Sequence, residues 1–227
     1  MARDLPIFPL PVVLFPGVPQ ALHIFEPRYR QMLYDCLAGD RRFGIAYVAG
    51  GAGDPDPAPP AGQVGCVAHI RSADQLTDGR SNILTVGERR FVIEAWLDAG
   101  QPYRVARVRE FADADEDVTE IAPLAAAIRQ AFDRLLAALA VLADGPAERP
   151  DLPPDPEGTS FHVAAALDLD PPVKQALLET RSTLARLRRL GPLVAALAAD
   201  AERRAAVHRR ARGNGKGGPG AHVERTG

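Results

Sequence analysis

The chain has 227 residues, roughly one and a half domains at about 150 residues each, so one large domain or two small lobes with a tail. Its 46% hydrophobic and 25% charged residues suit a globular chain, and a net charge of -2 argues against both a strongly basic nucleic-acid binder and an acidic disordered chain. Two cysteines, Cys36 and Cys66, exclude a disulfide scaffold and a four-cysteine zinc site.

The chain opens with short apolar runs, Leu5 to Leu10 and Val12 to Phe15, broken by prolines and ended by the turn signal Pro16-Gly17. Residues 5 to 25 carry no Asp, Glu, Lys or Arg, but a membrane helix fails on Pro6, Pro9, Pro11, Pro16 and Pro19. Each proline lacks a backbone donor, and lipid offers no substitute partner. A signal peptide fails for the same reason and because Asp4 follows Arg3. The run reads as buried extended chain, and a cytoplasmic location with reduced thiols is expected.

Ala21 to Phe25 is the next strand candidate, and Glu26-Pro27 opens a helix. Tyr29, Met32, Leu33, Cys36 and Leu37 form one apolar stripe on it, and Gly39 is placed as its C-cap. Arg42 to Val48 is a strand. Residues 50 to 62, rich in Gly and Pro, read as a mobile loop. Val64 to Leu76 is a long strand bent near Ser72, and Asp78-Gly79 is a hairpin turn. Ile83 to Val86 and Phe91 to Leu97 follow as strands, with a bulge or bend at Gly87. Tyr103, Val105 and Val108 lie in a last strand ending near Phe111. Sustained strands with short turns predict a closed or nearly closed sheet, which leaves few exposed edges.

Asp113, Asp115, Glu116, Asp117 and Glu120 form an acidic hinge, read as a solvated linker and helix start. Ile121 to Leu142 has helical period. Five prolines between 144 and 158 mark a loop, after which Thr159 or Ser160 caps a short helix to Leu167. Asp170 caps another, to Glu179. Ser182 caps a final helix to about Arg210, with a kink or break predicted at Gly191-Pro192. The Gly-rich end reads as disordered. The fold class expected is α+β: a twisted, barrel-like β lobe of about six strands plus one helix over 1–112, a helical bundle lobe over 118–210, and a tail over 211–227.

Chemistry is sparse. There is no G-x-x-x-x-G-K-[ST] phosphate loop and no G-x-S-x-G elbow. Ser72, Ser81, Ser160 and Ser182 have no His or Lys at a spacing that suggests an activated nucleophile. The five histidines form no H-x-x-x-H or H-E-x-x-H pattern. No catalytic residue, cofactor or metal is therefore expected. His23 and His69 lie in apolar strands and read as structural, and Cys36 and Cys66 read as core. From residue 203 onward, Arg203, Arg204, Arg209, Arg210, Arg212, Lys216 and Arg225 face one acid, Glu224. Such a cluster contacts nucleic acid by charge alone or simply solvates a helix end, and no aromatics interleave it for base stacking.

Leu5-Pro-Ile-Phe-Pro-Leu-Pro-Val-Val-Leu-Phe-Pro-Gly17 followed by Leu22-His-Ile-Phe-Glu-Pro-Arg-Tyr29 resembles the N-terminal, substrate-binding domain of the Lon protease family. The resemblance continues through Phe43-Gly44-Ile45, Val64-Gly65-Cys66-Val67-Ala68 and Val86-Gly87-Glu88-Arg89-Arg90-Phe91. It returns in Val173 to Glu179 and Leu184 to Leu187, and so spans roughly 5 to 200. It looks most like free-standing bacterial proteins that carry this domain alone. It implies a six-stranded barrel-like lobe with a helix, then a helical bundle. The ATPase and Ser–Lys peptidase activities of full-length Lon enzymes do not carry over, since this chain ends before either module.

What the resemblance implies is recognition of unfolded or partner polypeptides by a non-enzymatic module, in protein quality control or as an adaptor. Phe25, Glu26, Pro27, Arg28 and Tyr29 are its candidate binding or motif residues. In bland structural terms, Phe25 enters the core or a groove at the lobe edge, Glu26-Pro27 starts the helix, and Arg28 pairs with an acid. The competing expectations are a partner-specific scaffold, a nucleic-acid-associated protein acting through the basic tail, and, least supported, a hydrolase. No membrane partner is expected, and the charge balance weighs against nucleic acid.

Overall fold

The computed structural model describes residues 2–49, 58–146 and 150–214. The Gly/Pro-rich segment 50–57 and the tail beyond 214, including Lys216 and Arg225, lie outside the described residues. Six strands come first: β1 (Ala2–Leu10), β2 (Pro19–Ile24), β3 (Arg42–Tyr47), β4 (Val64–Gln75), β5 (Ser81–Leu97) and β6 (Val105–Glu110). Helix α1 (Pro27–Ala38) lies between β2 and β3. Four helices follow: α2 (Val118–Leu142), α3 (Pro156–Ala166), α4 (Pro171–Leu178) and α5 (Thr183–Asn214). The α+β class holds.

The strand order is β2-β5-β4-β3-β1-β6, and β6 pairs again with β5. Five strands thus close into a ring, with β2 attached outside the first half of β5. All pairings are antiparallel except β1 with β3, where Ile7 faces Gly44. Closure requires a strand long enough to serve two neighbours along one edge. β5 does this, pairing with β2 through Ser81–Val86 and with β6 through Phe91–Leu97. The sequence reading divided it in two at Gly87. The structure keeps it continuous, and the expected bulge at Gly87 is present as a register shift opposite Cys66/Ala68. A Cβ at Gly87 would lie 2.1 Å from the Phe15 carbonyl oxygen, so only glycine fits there. The bend expected near Ser72 is the second shift, between Ile70 and Ser72.

Strand alternation feeds two apolar cores. Leu5, Ile7, Ala46, Val67, Phe91, Ile93, Ala106 and Val108 fill the ring from inside, with at least one residue from each of its strands. Phe8, Phe43, Ile45, Cys66, Ala68 and Ile70 point outward and are covered by Tyr29, Met32, Leu33 and Cys36 of α1. Each large side chain so covered contributes roughly 1.5–3 kcal/mol. Burial on both faces explains why these strands read as nearly continuous apolar runs. Tyr103 lies just before β6 rather than in it, where its hydroxyl donates to Asp35 Oδ2 at 2.8 Å and ties α1 to the barrel.

The third core joins the helices to the barrel. Phe132, Phe161, Leu187, Leu190, Val194 and Ala198 pack with Phe15 and Val64. Val12 to Phe15 is therefore not a strand; it is irregular chain that delivers Phe15 to this core. Several helix ends differ from the sequence reading. α3 starts at Pro156, capped by Asp155, whose carboxylate accepts from the Gly158 N–H. Thr159 and Ser160 are instead buried inside that helix. α5 is not broken at Gly191-Pro192, because Leu190 and Val194, both fully buried, pin it on either side. It continues past Arg210 to Asn214, and His208 and Arg212 both reach Asp144 at the end of α2.

Candidate polypeptide-binding site

Helix α1 begins because Pro27 occupies its first turn and fixes φ there. Its buried stripe faces the barrel, which leaves the flank with Arg30, Gln31 and Tyr34 facing out. This flank runs beside the β4–β5 hairpin, and a groove of about 620 Å³ lies between them. Its walls are Leu33, Tyr34 and Leu37 on one side and Ala73, Gln75 and Ser81 on the other. At the hairpin end Gly79 has φ +81, and a Cβ there would meet the Arg30 guanidinium at 2.2 Å. The missing side chain lets Arg30 close that end of the groove. Tyr34 is 70% exposed, a large aromatic left in water with apolar neighbours on the groove wall.

The residues singled out from the sequence flank the start of α1. Phe25 is 59% exposed, neither in the core nor part of the groove wall, with its ring 6.1 Å from His23. Glu26 is the N-cap position, but its side chain makes no cap bond; its carboxylate accepts from Arg28 Nε at 3.0 Å. Pro27 lines the groove. Tyr29 is in the core, 5% exposed, with its ring 4.0 Å from that of Phe8, and the Arg28 guanidinium lies over the Tyr29 ring at 4.6 Å from its centroid. Of the five, Phe25 is offered to solvent and Tyr29 is not. The sequence reading passed over Tyr34, the most exposed large aromatic. Its signal was an aromatic lying off the apolar stripe.

A second groove, about 850 Å³, runs between α2 and α5, lined by Leu124, Ile128, Leu187 and Pro192 with Arg134 and Arg188 at its rim. It has no aromatic wall. Farther along α5, Arg203 and Arg204 pair with Asp200, and Arg212 pairs with Asp144. Three of the five described arginines of the basic cluster are thus paired, sharing two carboxylates between them.

Three nucleophile-type side chains, Cys36, Cys66 and Ser160, are committed to the fold. Burial pushes the Cys36 thiol up to about 12 and raises Cys66 as well, so neither is a thiolate near neutral pH. Ser160 Oγ accepts from Arg186 Nε at 2.7 Å and donates to the Glu157 carbonyl at 2.6 Å. Among the described residues, no group of three or more His, Cys, Asp and Glu side chains is arranged to hold a metal ion. No described helix is long and apolar enough to cross a membrane.

The seam between barrel and helices is polar at its centre. Asp113 sits between two buried guanidiniums, pairing with Arg90 of β5 and accepting from Arg186 Nη2 of α5 at 2.7 Å. Arg90 also donates to the Leu178 and Thr180 carbonyls at 2.7 and 2.9 Å, and Arg186 lies 4.0 Å from the Phe161 ring centroid. Burial lowers the Arg90 pKa against the raising influence of Asp113. Asp113 is therefore a structural pivot, not the solvated linker residue that the acidic stretch suggested. Glu116 also turns inward, accepting from the Ser182 hydroxyl and from the Leu184 N–H at 3.1 Å at the start of α5.

The model of the ATP-dependent protease La (LON) substrate-binding domain matches residues 4–196. The chain belongs to the Lon substrate-binding domain family. The Lon protease of Phenylobacterium zucineum is 30% identical over 206 residues, covering 86% of this chain and 25% of that protein. Lon protease 2 of Herpetosiphon aurantiacus is 27% identical over 190 residues, covering 82% and 23%. The chain spans about a quarter of the length of these curated relatives. Among solved structures, a Lon N-terminal domain protein from Xanthomonas campestris superposes with a TM-score of 0.60 at 26% identity, covering 83% of this chain and 96% of that one. The N-terminal domain of a Mycobacterium avium complex Lon protease has the same TM-score at 19% identity, and shows the fold.

In this member of the Lon substrate-binding domain family, two of the motifs that carried the resemblance meet at the seam. The Gly17 N–H donates to the Gly87 carbonyl at 2.8 Å, and the Gly87 N–H donates to the Val18 carbonyl at 3.0 Å. Arg90, three residues after Gly87, is the barrel's contribution to the Asp113 cluster. The Phe-Pro-Gly and Gly-x-x-Arg-Phe segments thus join the Lon-type barrel to its helices, whereas the groove along α1 lies on another face.

Proposed function

We propose that the chain is a non-catalytic polypeptide-binding module, and that the groove between α1 and the β4–β5 hairpin receives an extended segment bearing apolar side chains. The observation that carries this is Tyr34, a largely exposed aromatic beside Leu33 and Leu37 on the α1 wall of a groove whose hairpin wall is mixed, Ala73 with Gln75 and Ser81. Binding there covers Tyr34 and Leu37, while Arg30, Gln31 and Gln75 offer donors to a peptide backbone. Phe25, at the start of the same helix, extends the apolar surface. Membership of a substrate-binding family supports the reading, as does the commitment of the cysteines and Ser160 to the fold. A role in protein quality control, as a holder or adaptor for unfolded chains, follows from the same chemistry.

The test is fluorescence anisotropy with a labelled, permanently unfolded model polypeptide. Tyr34→Ala is expected to weaken binding about fivefold or more, a loss of about 1 kcal/mol. Ala195→Arg, which obstructs the α2–α5 groove, is expected to leave it unchanged. The reverse pattern transfers the site to the α2–α5 groove. No binding by the unaltered chain overturns the function.

A further inference from the structure

One end of the barrel is closed by charge. Arg3 has the same strand parity as Leu5 and Ile7, Arg89 the same as Phe91 and Ile93, and Glu110 the same as Ala106 and Val108. Alternation therefore brings Arg3, Arg89 and Glu110 to the mouth of the ring whose interior those apolar residues fill. A cavity of about 330 Å³ opens there, floored by Val67, Phe91 and Val108 and walled by Arg3, Arg89 and Glu110. The neighbouring Arg42 is spent, since its Nε and Nη2 donate to the two oxygens of Glu88 at 2.7 and 3.0 Å. Arg3 and Arg89 are not. Arg3 makes one long contact, Nη1 to Asp40 Oδ2 at 3.5 Å, and its Nη2 is buried without a hydrogen-bond partner. Arg89 is exposed, and no carboxylate lies within ion-pair distance of it among the described residues.

Burial and the Arg89 charge both depress the Arg3 pKa, so the two guanidiniums repel one another across the mouth. A buried donor with no acceptor on Arg3, whose one ion pair is the long contact to Asp40, and an Arg89 with no ion pair among the described residues, lie beside one cavity, an arrangement completed by an anion. We propose that the barrel mouth is a binding site for a tetrahedral oxyanion of the phosphate class, held by Arg3 and Arg89. A dianion offsets both guanidinium charges, and its oxygens match their forked donors better than a single carboxylate does. The cavity of about 330 Å³ suits a small phosphate or a phosphomonoester, and Glu110 on its wall opposes an anion, so binding rests on both guanidiniums. The site is separate from the α1 groove and does not depend on it.

The experiment is titration of the full chain with inorganic phosphate, followed by NMR of the arginine side chains and by thermal unfolding, against sodium chloride at equal ionic strength. The expected result is saturable binding with shifts at Arg3 and Arg89 and a rise in Tm beyond that given by chloride. Arg89→Gln, an exposed substitution that leaves the core alone, is expected to weaken binding about tenfold. Arg107→Gln, which removes a surface pair with Asp4, is expected to change nothing. Parallel titration with phenyl phosphate separates free phosphate from a phosphomonoester as the preferred ligand. A response no greater than that to chloride, or an Arg89→Gln chain that binds phosphate as tightly as the unaltered one, overturns the proposal.

Discussion

The barrel and the helical region are held together in different ways. In the barrel, backbone ladders close the ring, and the side chains inside it are apolar, from Ala46 and Ala106 up to Phe91. The helices have no such ladder to bind them to the barrel or to one another. Their placement rests on side chains, and at the seam on one carboxylate shared by two buried guanidiniums. A ladder spreads its stabilisation over many equivalent bonds, so losing one contact is tolerated. A charged pivot concentrates it, because removing Asp113 leaves Arg90 and Arg186 buried without their counterion.

The largest test of that contrast is Asp113→Ala, expected to cost about 3–5 kcal/mol by urea unfolding. Hydrogen exchange should show protection lost first in α2 and α5, with β4 and β5 amides retained. Equal loss in both regions would mean that the pivot supports the whole molecule and not the seam. A smaller effect is expected from Ile93→Val inside the ring, about 1 kcal/mol, with no change in which region opens first.

Smaller again is the acid response of Glu116. The Ser182 hydroxyl and backbone N–H groups hold its carboxyl below the ordinary carboxylate value. Between the lowered folded pKa and the unfolded value near 4.3, the unfolded chain binds more protons, so stability rises with pH through that window. The contribution is complete above the unfolded value and is lost as pH falls through the folded one. Glu116→Gln is therefore expected to narrow the difference in urea midpoint between pH 6 and pH 3, with a change under about 1 kcal/mol after solvent screening. The smallest effect on stability is expected for Tyr34→Ala, within about 0.5 kcal/mol, since its ring is mostly in water. If that substitution destabilises the chain by more, Tyr34 belongs to the packing of α1 and not to a binding surface.

Most of the elements were legible because their signals are local. The stripe Tyr29, Met32, Leu33 and Cys36 predicted α1 and is the face it buries. The turn at Asp78-Gly79 and the bend near Ser72 were visible in residue type and pattern. The misreadings share a cause. The bulge or bend expected at Gly87 is present as a register shift, but it does not divide β5, because the strand continues past the point where the Phe15 carbonyl presses against Gly87. Thr159 reads as a cap until Asp155 is seen to fill that role. Of the candidate site, Phe25 and Pro27 lie near the groove, but the wall opposite α1 comes from β4 and β5, more than thirty residues away in sequence, and no local pattern reports that proximity.

The sequence by itself determined the α+β class, the five helices, most of the strands and the family, because periodicity, prolines and short motifs act over a few residues. Tertiary structure alone decided which charges are structural. Asp113 and Asp115 are two residues apart in one acidic stretch, yet Asp113 lies between two guanidiniums and Asp115 faces water. Arg89 and Arg90 are adjacent, yet one is exposed at the barrel mouth and the other buried at the seam. An ionised side chain's role is set by the partners and the water around it, and both are fixed only once distant segments have packed.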